Sequence, residues 1–222
     1  MIIEFLGVSG AGKTTSAKKI KLLYEKNGHC ITWDTYELYS NHGWLERNII
    51  KVIYVFSFSF KNFSWVKKYY VFLRKRLKIC SIAKLFFNGI YLKLMLDRAR
   101  CDNNIHLFDE GVLQHLWAIK LRECNNIDVN DLIHIKNIFG LPEMVYYIDA
   151  EPEKIYYRLL HRNEYTRILA EKDIMSKIVI MRTQCEDMLN ILPNLSKNII
   201  IKRIDNNSED ISLGDITSDY FF

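Results

Sequence analysis

The residues Gly7-Val8-Ser9-Gly10-Ala11-Gly12-Lys13-Thr14-Thr15 carry the most legible chemistry in the chain. Glycines at Gly7, Gly10 and Gly12 let a backbone wrap tightly enough for successive N–H groups to converge on one anion, and a helix starting at Lys13 adds the positive end of its dipole. In this spacing Lys13 reaches the β- and γ-oxygens of a nucleoside triphosphate, and the Thr14 hydroxyl is a ligand for Mg²⁺. The expected contacts to ATP are Gly7, Ser9, Gly10, Ala11, Gly12, Lys13, Thr14 and Thr15.

Three further groups fit phosphoryl chemistry. Asp109 follows the apolar run Ile105-His106-Leu107-Phe108, read as a strand beside the first. A carboxylate at the C-terminal edge of such a strand holds Mg²⁺ directly or through water, and Glu110 is placed to do the same or to orient a nucleophile. Arg158 and Arg162 lie one helical turn apart, with Arg167 beyond them in a presumed lid over 163–170, a set of guanidinium forks able to clamp a transferring phosphoryl group. Asp34 ends the second strand and is the candidate base for an attacking hydroxyl, with a helix N-cap as its structural alternative. Tyr36 is a candidate to line the same pocket, with a core tyrosine as its structural alternative.

Positioning these residues requires an α/β core. Met1 to Leu6 reads as a buried strand, Lys13 to Lys26 as a helix stopped by Asn27-Gly28, and His29 to Trp33 as a second strand. This βαβ unit predicts two parallel strands pairing through a right-handed crossover. Candidate helices follow over Trp44–Phe60, Ser64–Ile79 and Ser81–Arg100. After the third strand come helices over Leu113–Arg122 and from Asp128 to Gly140, then a strand over Met144–Ile148. A helix opened by Pro152 runs to Arg162, a long helix reaches about Leu192, and Asn198–Ile204 closes the sheet. The expectation is one three-layer α/β domain over 1–222, a central parallel sheet of about five strands with flanking helices and a helical insert over 40–103.

At 222 residues and 49% apolar composition the chain is long enough for a full core. No apolar stretch spans a bilayer, and residues 2–6 lead directly into the glycine loop, so no cleavable leader fits and a cytoplasmic location is expected. Five scattered cysteines without C-x-x-C spacing read as buried structural thiols. The net charge is +5, but from Arg47 to Arg100 thirteen Lys/Arg face one acid, Asp97. Residues 61–78 interleave these cations with aromatics. The segment suits an anionic acceptor, peripheral contact with an anionic membrane, single-stranded nucleic acid (the least supported), or an ordinary amphipathic helix.

The opening from Phe5 to Thr15, with its Lys/Leu-rich helix and Asn27-Gly28, resembles that of thymidylate kinases. So do Tyr146-Tyr147-Ile148-Asp149 followed by Pro152-Glu153 and the Arg158/Arg162 helix, and the closing strand Ile201 to Asp205 before Ser208-Glu209-Asp210. The resemblance implies the P-loop nucleoside/nucleotide kinase fold, ATP as donor, Mg²⁺ and a mobile arginine lid. It covers about the first 35 and last 80 residues. The chain departs from the family pattern with Trp33-Asp34-Thr35-Tyr36 in place of Arg-Glu-Pro-Gly, and with Asp109-Glu110-Gly111 in place of Asp-Arg-Tyr/Phe. Two functions stay open: a small-molecule kinase acting on a nucleoside, nucleotide, sugar or lipid-linked glycan, and a P-loop ATPase or nucleotide-dependent switch with Glu110 activating water. The sequence leaves the acceptor and any homodimer open.

Overall fold

Short apolar runs form the strands β1 (Ile2–Leu6), β2 (Ile31–Thr32), β3 (Ile105–Phe108), β4 (Met144–Asp149) and β5 (Ile200–Asp205). The computed structural model describes residues 1–33, 43–123, 125–161 and 173–207. All five strands join one parallel sheet in the order β2-β3-β1-β4-β5. Parallel strands need long crossovers and burial on both faces. The helices α1 (Lys13–Lys26), α2 (Trp44–Lys61), α3 (Phe63–Arg74), α4 (Ile79–Arg100), α5 (Val112–Glu123), α6 (Val129–Phe139), α7 (Pro152–Leu160) and α8 (Ile174–Leu195) supply these connections and flank the sheet.

The third strand lies beside the first, as expected, but β1 and β2 do not pair. β3 separates them, with Ile2 opposite His106 on one side and Ile31 opposite Ile105 on the other. Every residue of β1 and β3 is buried, so each requires a neighbour on both edges. β2 spans only two residues after the exposed His29 and Cys30, and such a strand suits an edge.

Helix ends move where side chains compete for the backbone. The Asn62 amide donates to the Phe58 carbonyl and divides α2 from α3. α3 stops at Arg74 rather than Ile79, and the turn that follows carries Arg76 into a half-buried ionic cluster. Arg76 meets Asp131 at 3.0 Å and Glu123 at 3.4 Å, while Lys120 meets both acids at 2.8 Å. α8 runs past Pro193 to Leu195, because a proline in the last turn removes only one helical donor.

The aromatic residues of 61–78 turn largely inward. The Trp65 ring stacks on Tyr69 (centroids 5.3 Å apart) and meets Phe139 edge-on, and its N–H donates to the Ile138 carbonyl at 2.8 Å. Tyr69 is fully buried, with its hydroxyl 3.0 Å from the Leu85 carbonyl and 2.6 Å from His115 Nε2. Burial pushes the His115 imidazole down to about 4, aided by the charge of Arg122, so the ring is neutral at pH 7. Lys61, Lys67, Lys68, Lys75 and Lys78 stay exposed with Phe63 and Tyr70, and any contact of this segment with an anionic surface would rest on them. Among the described residues no helix is long and apolar enough to cross a membrane. Of the cysteines, Cys185 is buried as expected, whereas Cys30 and Cys101 are exposed.

Candidate active site at the glycine loop

β1 delivers the chain into the glycine loop, and α1 begins at Lys13 with Gly12 as its N-cap. Gly12 sits at φ 99°, ψ 21°, a left-handed conformation that other residues rarely adopt, and a Cβ there would run into the Asn206 amide. The first turn of α1 contains no acidic residue, so no carboxylate competes for its N–H groups.

The loop is clamped from the far side of the sheet. The Ala11 carbonyl accepts from Asn206 Nδ2 at 2.7 Å and from Arg158 Nη1 at 3.4 Å. The Arg158 Nη2 donates to the Asn206 carbonyl at 2.9 Å, and the Asn206 N–H donates to the Asp149 carbonyl at 2.8 Å. Arg158 thus reaches the loop, where its guanidinium bonds to backbone carbonyls. Gly10 abuts Ile155 and Leu159 of α7. The Lys13 ammonium folds over the loop and donates to the carbonyls of Gly7 (2.6 Å) and Val8 (3.3 Å). Thr14 and Thr15 are exposed on the first turn, and Ser9 is half-buried.

Asp109 lies one residue past β3, at the sheet edge from which the glycine loop departs, because Phe108 pairs with Glu4 of β1. Its Oδ1 accepts from the Trp33 indole at 3.4 Å. Glu110 is exposed beside it. Thr14 and Asp109 offer hard oxygen ligands, and no group of three or more His, Cys, Asp or Glu that could hold a metal exists among the described residues. Such a donor set fits Mg²⁺ completed by phosphate oxygens and water, rather than an all-protein cage. Asp34, Tyr36, Arg162, Arg167 and the lid at 163–170 lie outside the described residues.

Several residues at the site escape a motif search. Asn206 and Trp33 hold the loop and Asp109 through contacts that no local spacing announces. Asp149, at the end of β4, takes a bidentate ion pair from Arg182 of α8, with Nε–Oδ1 at 2.8 Å and Nη2–Oδ2 at 2.6 Å. One turn further along that helix, burial pushes the thiol of Cys185 up to about 12. Glu4 is 1% exposed, and its Oε1 accepts the Gln114 N–H at 2.8 Å. Burial pushes its carboxyl to about 7, although the N–H groups of Gln114, Leu113 and Val112 pull the other way. A charged residue inside a wholly buried parallel strand was the available signal.

The glycine loop, the carboxylate past the adjacent strand and the sheet order together define a P-loop kinase fold. Deoxyadenosine kinase from M. mycoides, with products dCMP and a flexible dCDP bound, matches with a TM-score of 0.52 at 18% identity, over 92% of this chain and 90% of that one. The dATP-bound structure of that enzyme gives 0.51 at 16% identity, over 97% and 95%. Thymidylate kinase from Ehrlichia chaffeensis gives 0.49 at 17% identity, over 97% and 92%. At these identities the two deoxyadenosine kinase matches show a likeness of fold, the fold that the sequence resemblance implies. No protein-family model matches the chain, and no curated protein matches it.

Proposed function

We propose that this chain is an ATP-dependent phosphotransferase acting on a nucleoside, nucleotide or sugar-type acceptor. The observation that carries the reading is the loop itself: a clamped glycine cradle with Lys13 at its mouth and Asp109 past the neighbouring strand, in a fold shared with a deoxyadenosine kinase. The acceptor oxygen attacks the γ-phosphorus and the bond to the β–γ bridging oxygen breaks, releasing ADP, while the acceptor proton passes to Asp34. Lys13 neutralises the β/γ oxygens and the loop N–H groups hold the β-phosphate. Arg162 and Arg167 would stabilise the transferring group, with Arg158 steadying the loop behind it. Bound Mg²⁺, held by Thr14 and Asp109, would supply charge neutralisation.

The test is transfer of label from γ-³²P-ATP to deoxynucleosides, deoxynucleoside monophosphates and sugars. Lys13→Ala and Asp34→Ala should each lower the rate by about a hundredfold or more. Full transfer by Asp34→Ala would remove the base from that residue. A second reading, an ATPase or switch, is favoured by the exposed Glu110 beside Asp109. It requires acceptor-independent hydrolysis that Glu110→Gln abolishes. The reading includes self-association through the outward face of α2, where Leu45, Ile49, Ile53, Phe56 and Phe60 are exposed.

A further inference from the structure

Glu4 holds both ends of the turn that presents Asp109. Its backbone pairs with Phe108, the residue before Asp109. Its side chain crosses to the start of α5, where the carboxylate accepts the Gln114 N–H at 2.8 Å, close to the first-turn amides of Val112 and Leu113. These are amides that a helix leaves without intrahelical partners. The Gln114 N–H is thus met by a carboxylate from a strand more than a hundred residues away in sequence. Only three residues, Asp109-Glu110-Gly111, separate the two anchors.

Gly111 is matched to this arrangement. A Cβ there would collide with the Glu4 carboxyl carbon. The glycine that sets Asp109-Glu110-Gly111 apart from the Asp-Arg-Tyr/Phe pattern therefore has a physical reason: it makes room for a carboxylate brought in from β1. On the other flank the Trp33 indole holds the Asp109 oxygen, so the turn is braced from β1, β2 and α5.

We propose that Glu4 is a positioning residue, which with Gly111 fixes the 109–111 turn and with it the Asp109 carboxylate, which with Thr14 would hold Mg²⁺. This rests on the reading of Asp109 as the metal-side carboxylate. Residues that orient a ligand in this way commonly tune metal affinity without touching the ion. Glu4→Gln keeps the volume but replaces one acceptor oxygen with an NH₂ that opposes the N–H groups of α5, loosening one anchor. Gly111→Ala pushes the carboxylate aside from the opposite direction and leaves β1 unaltered.

The experiment measures ADP binding by calorimetry, in EDTA and across a Mg²⁺ titration, for the full chain and for Glu4→Gln, Gly111→Ala, Asp109→Asn and the Glu4→Gln/Asp109→Asn pair. Glu4→Gln and Gly111→Ala should each raise the Mg²⁺ midpoint about tenfold and leave ADP affinity in EDTA within about twofold. Asp109→Asn should raise the midpoint as well, and adding Glu4→Gln to it should change nothing further. Should one of the first two variants fail to fold, the other carries the test. An unchanged midpoint in the folded variants, with Asp109→Asn still effective, overturns the role of Glu4. So does an equal loss of ADP affinity with and without Mg²⁺, the mark of a merely structural cap. An unchanged midpoint in Asp109→Asn instead overturns the reading of Asp109 on which the proposal rests.

Discussion

At the scale of single residues, the site divides into side chains announced by spacing and side chains announced only by three-dimensional contact. Lys13 and Thr14 belong to the first group, since their role depends on a local loop and the helix it opens. Asn206 and Trp33 belong to the second, since each reaches a partner brought close only by the sheet. Glu4 stands between: its oddity in an apolar strand was visible in the sequence, whereas its partners on α5 were not. Its energetics give a pH signature. The folded carboxyl titrates near 7 rather than 4.5, so burial outweighs the N–H groups it accepts. Between those values the folded chain holds a proton that the unfolded chain releases, and stability falls as pH rises through that window, by about 3 kcal/mol in all. His115 acts with the opposite sign: its folded value, about 4, lies below the usual 6.5, so its contribution is lost as pH falls across that range. Comparing urea unfolding of Glu4→Gln with the parent cancels His115 and isolates Glu4. The free-energy difference should move in favour of the variant between pH 4.5 and 7, and a flat difference would show that the buried carboxylate is not destabilising.

Among the elements, the insert shows how periodicity and packing part company. The run of cations and aromatics over 61–78 was legible as helical and basic, and α2 and α4 fell close to their expected places. Which face the aromatics would take was not legible, because a helix alone does not state what covers it. Phe139, Phe86 and His115 come from three other helices and decide the matter by enclosing Tyr69. Gly89 is part of the same fit. It lies inside α4, where propensity alone says alanine should stabilise by about 1 kcal/mol, yet a Cβ at Gly89 would collide with the Tyr69 hydroxyl. Overpacking of this kind costs about 1–3 kcal/mol, and here it displaces a hydroxyl bonded to Leu85 and His115. Gly89→Ala should therefore lower stability by up to about 2 kcal/mol net of the propensity gain. Thermal and urea unfolding check the sign. A more stable variant would mean that Tyr69 yields without loss.

For the molecule as a whole, the strands and their parallel arrangement could be read from apolar runs, while the order β2-β3-β1 could not, because a βαβ pattern alone does not say that a later strand enters between its two members. Among the described residues, the outer surface holds a feature that no other element covers. Leu45, Ile49, Val52, Ile53, Phe56 and Phe60 recur at helical spacing along the solvent side of α2, with exposures from 41% to 83%, and Phe63 continues the line at 71%. Glu46, Asn48, Ser57 and Ser59 border the α2 part of the stripe, and the exposed cation Lys61 stands only at its end, between Phe60 and Phe63. With aromatic side chains of roughly 150–250 Å² each, the stripe offers on the order of 700–800 Å², the area one partner contributes to a standard interface. A two-fold axis near Val52 and Ile53 would set the stripe against its own copy in antiparallel fashion, as an isologous contact requires. A central charge breaks such a contact without disturbing the monomer, because an exposed substitution alters stability by only about 0.5 kcal/mol. Sedimentation equilibrium should show a dimer at micromolar concentration for the parent chain and a monomer for Phe56→Glu, with the two unfolding alike once dissociated. If the parent is monomeric at these concentrations, a second copy is not what covers α2.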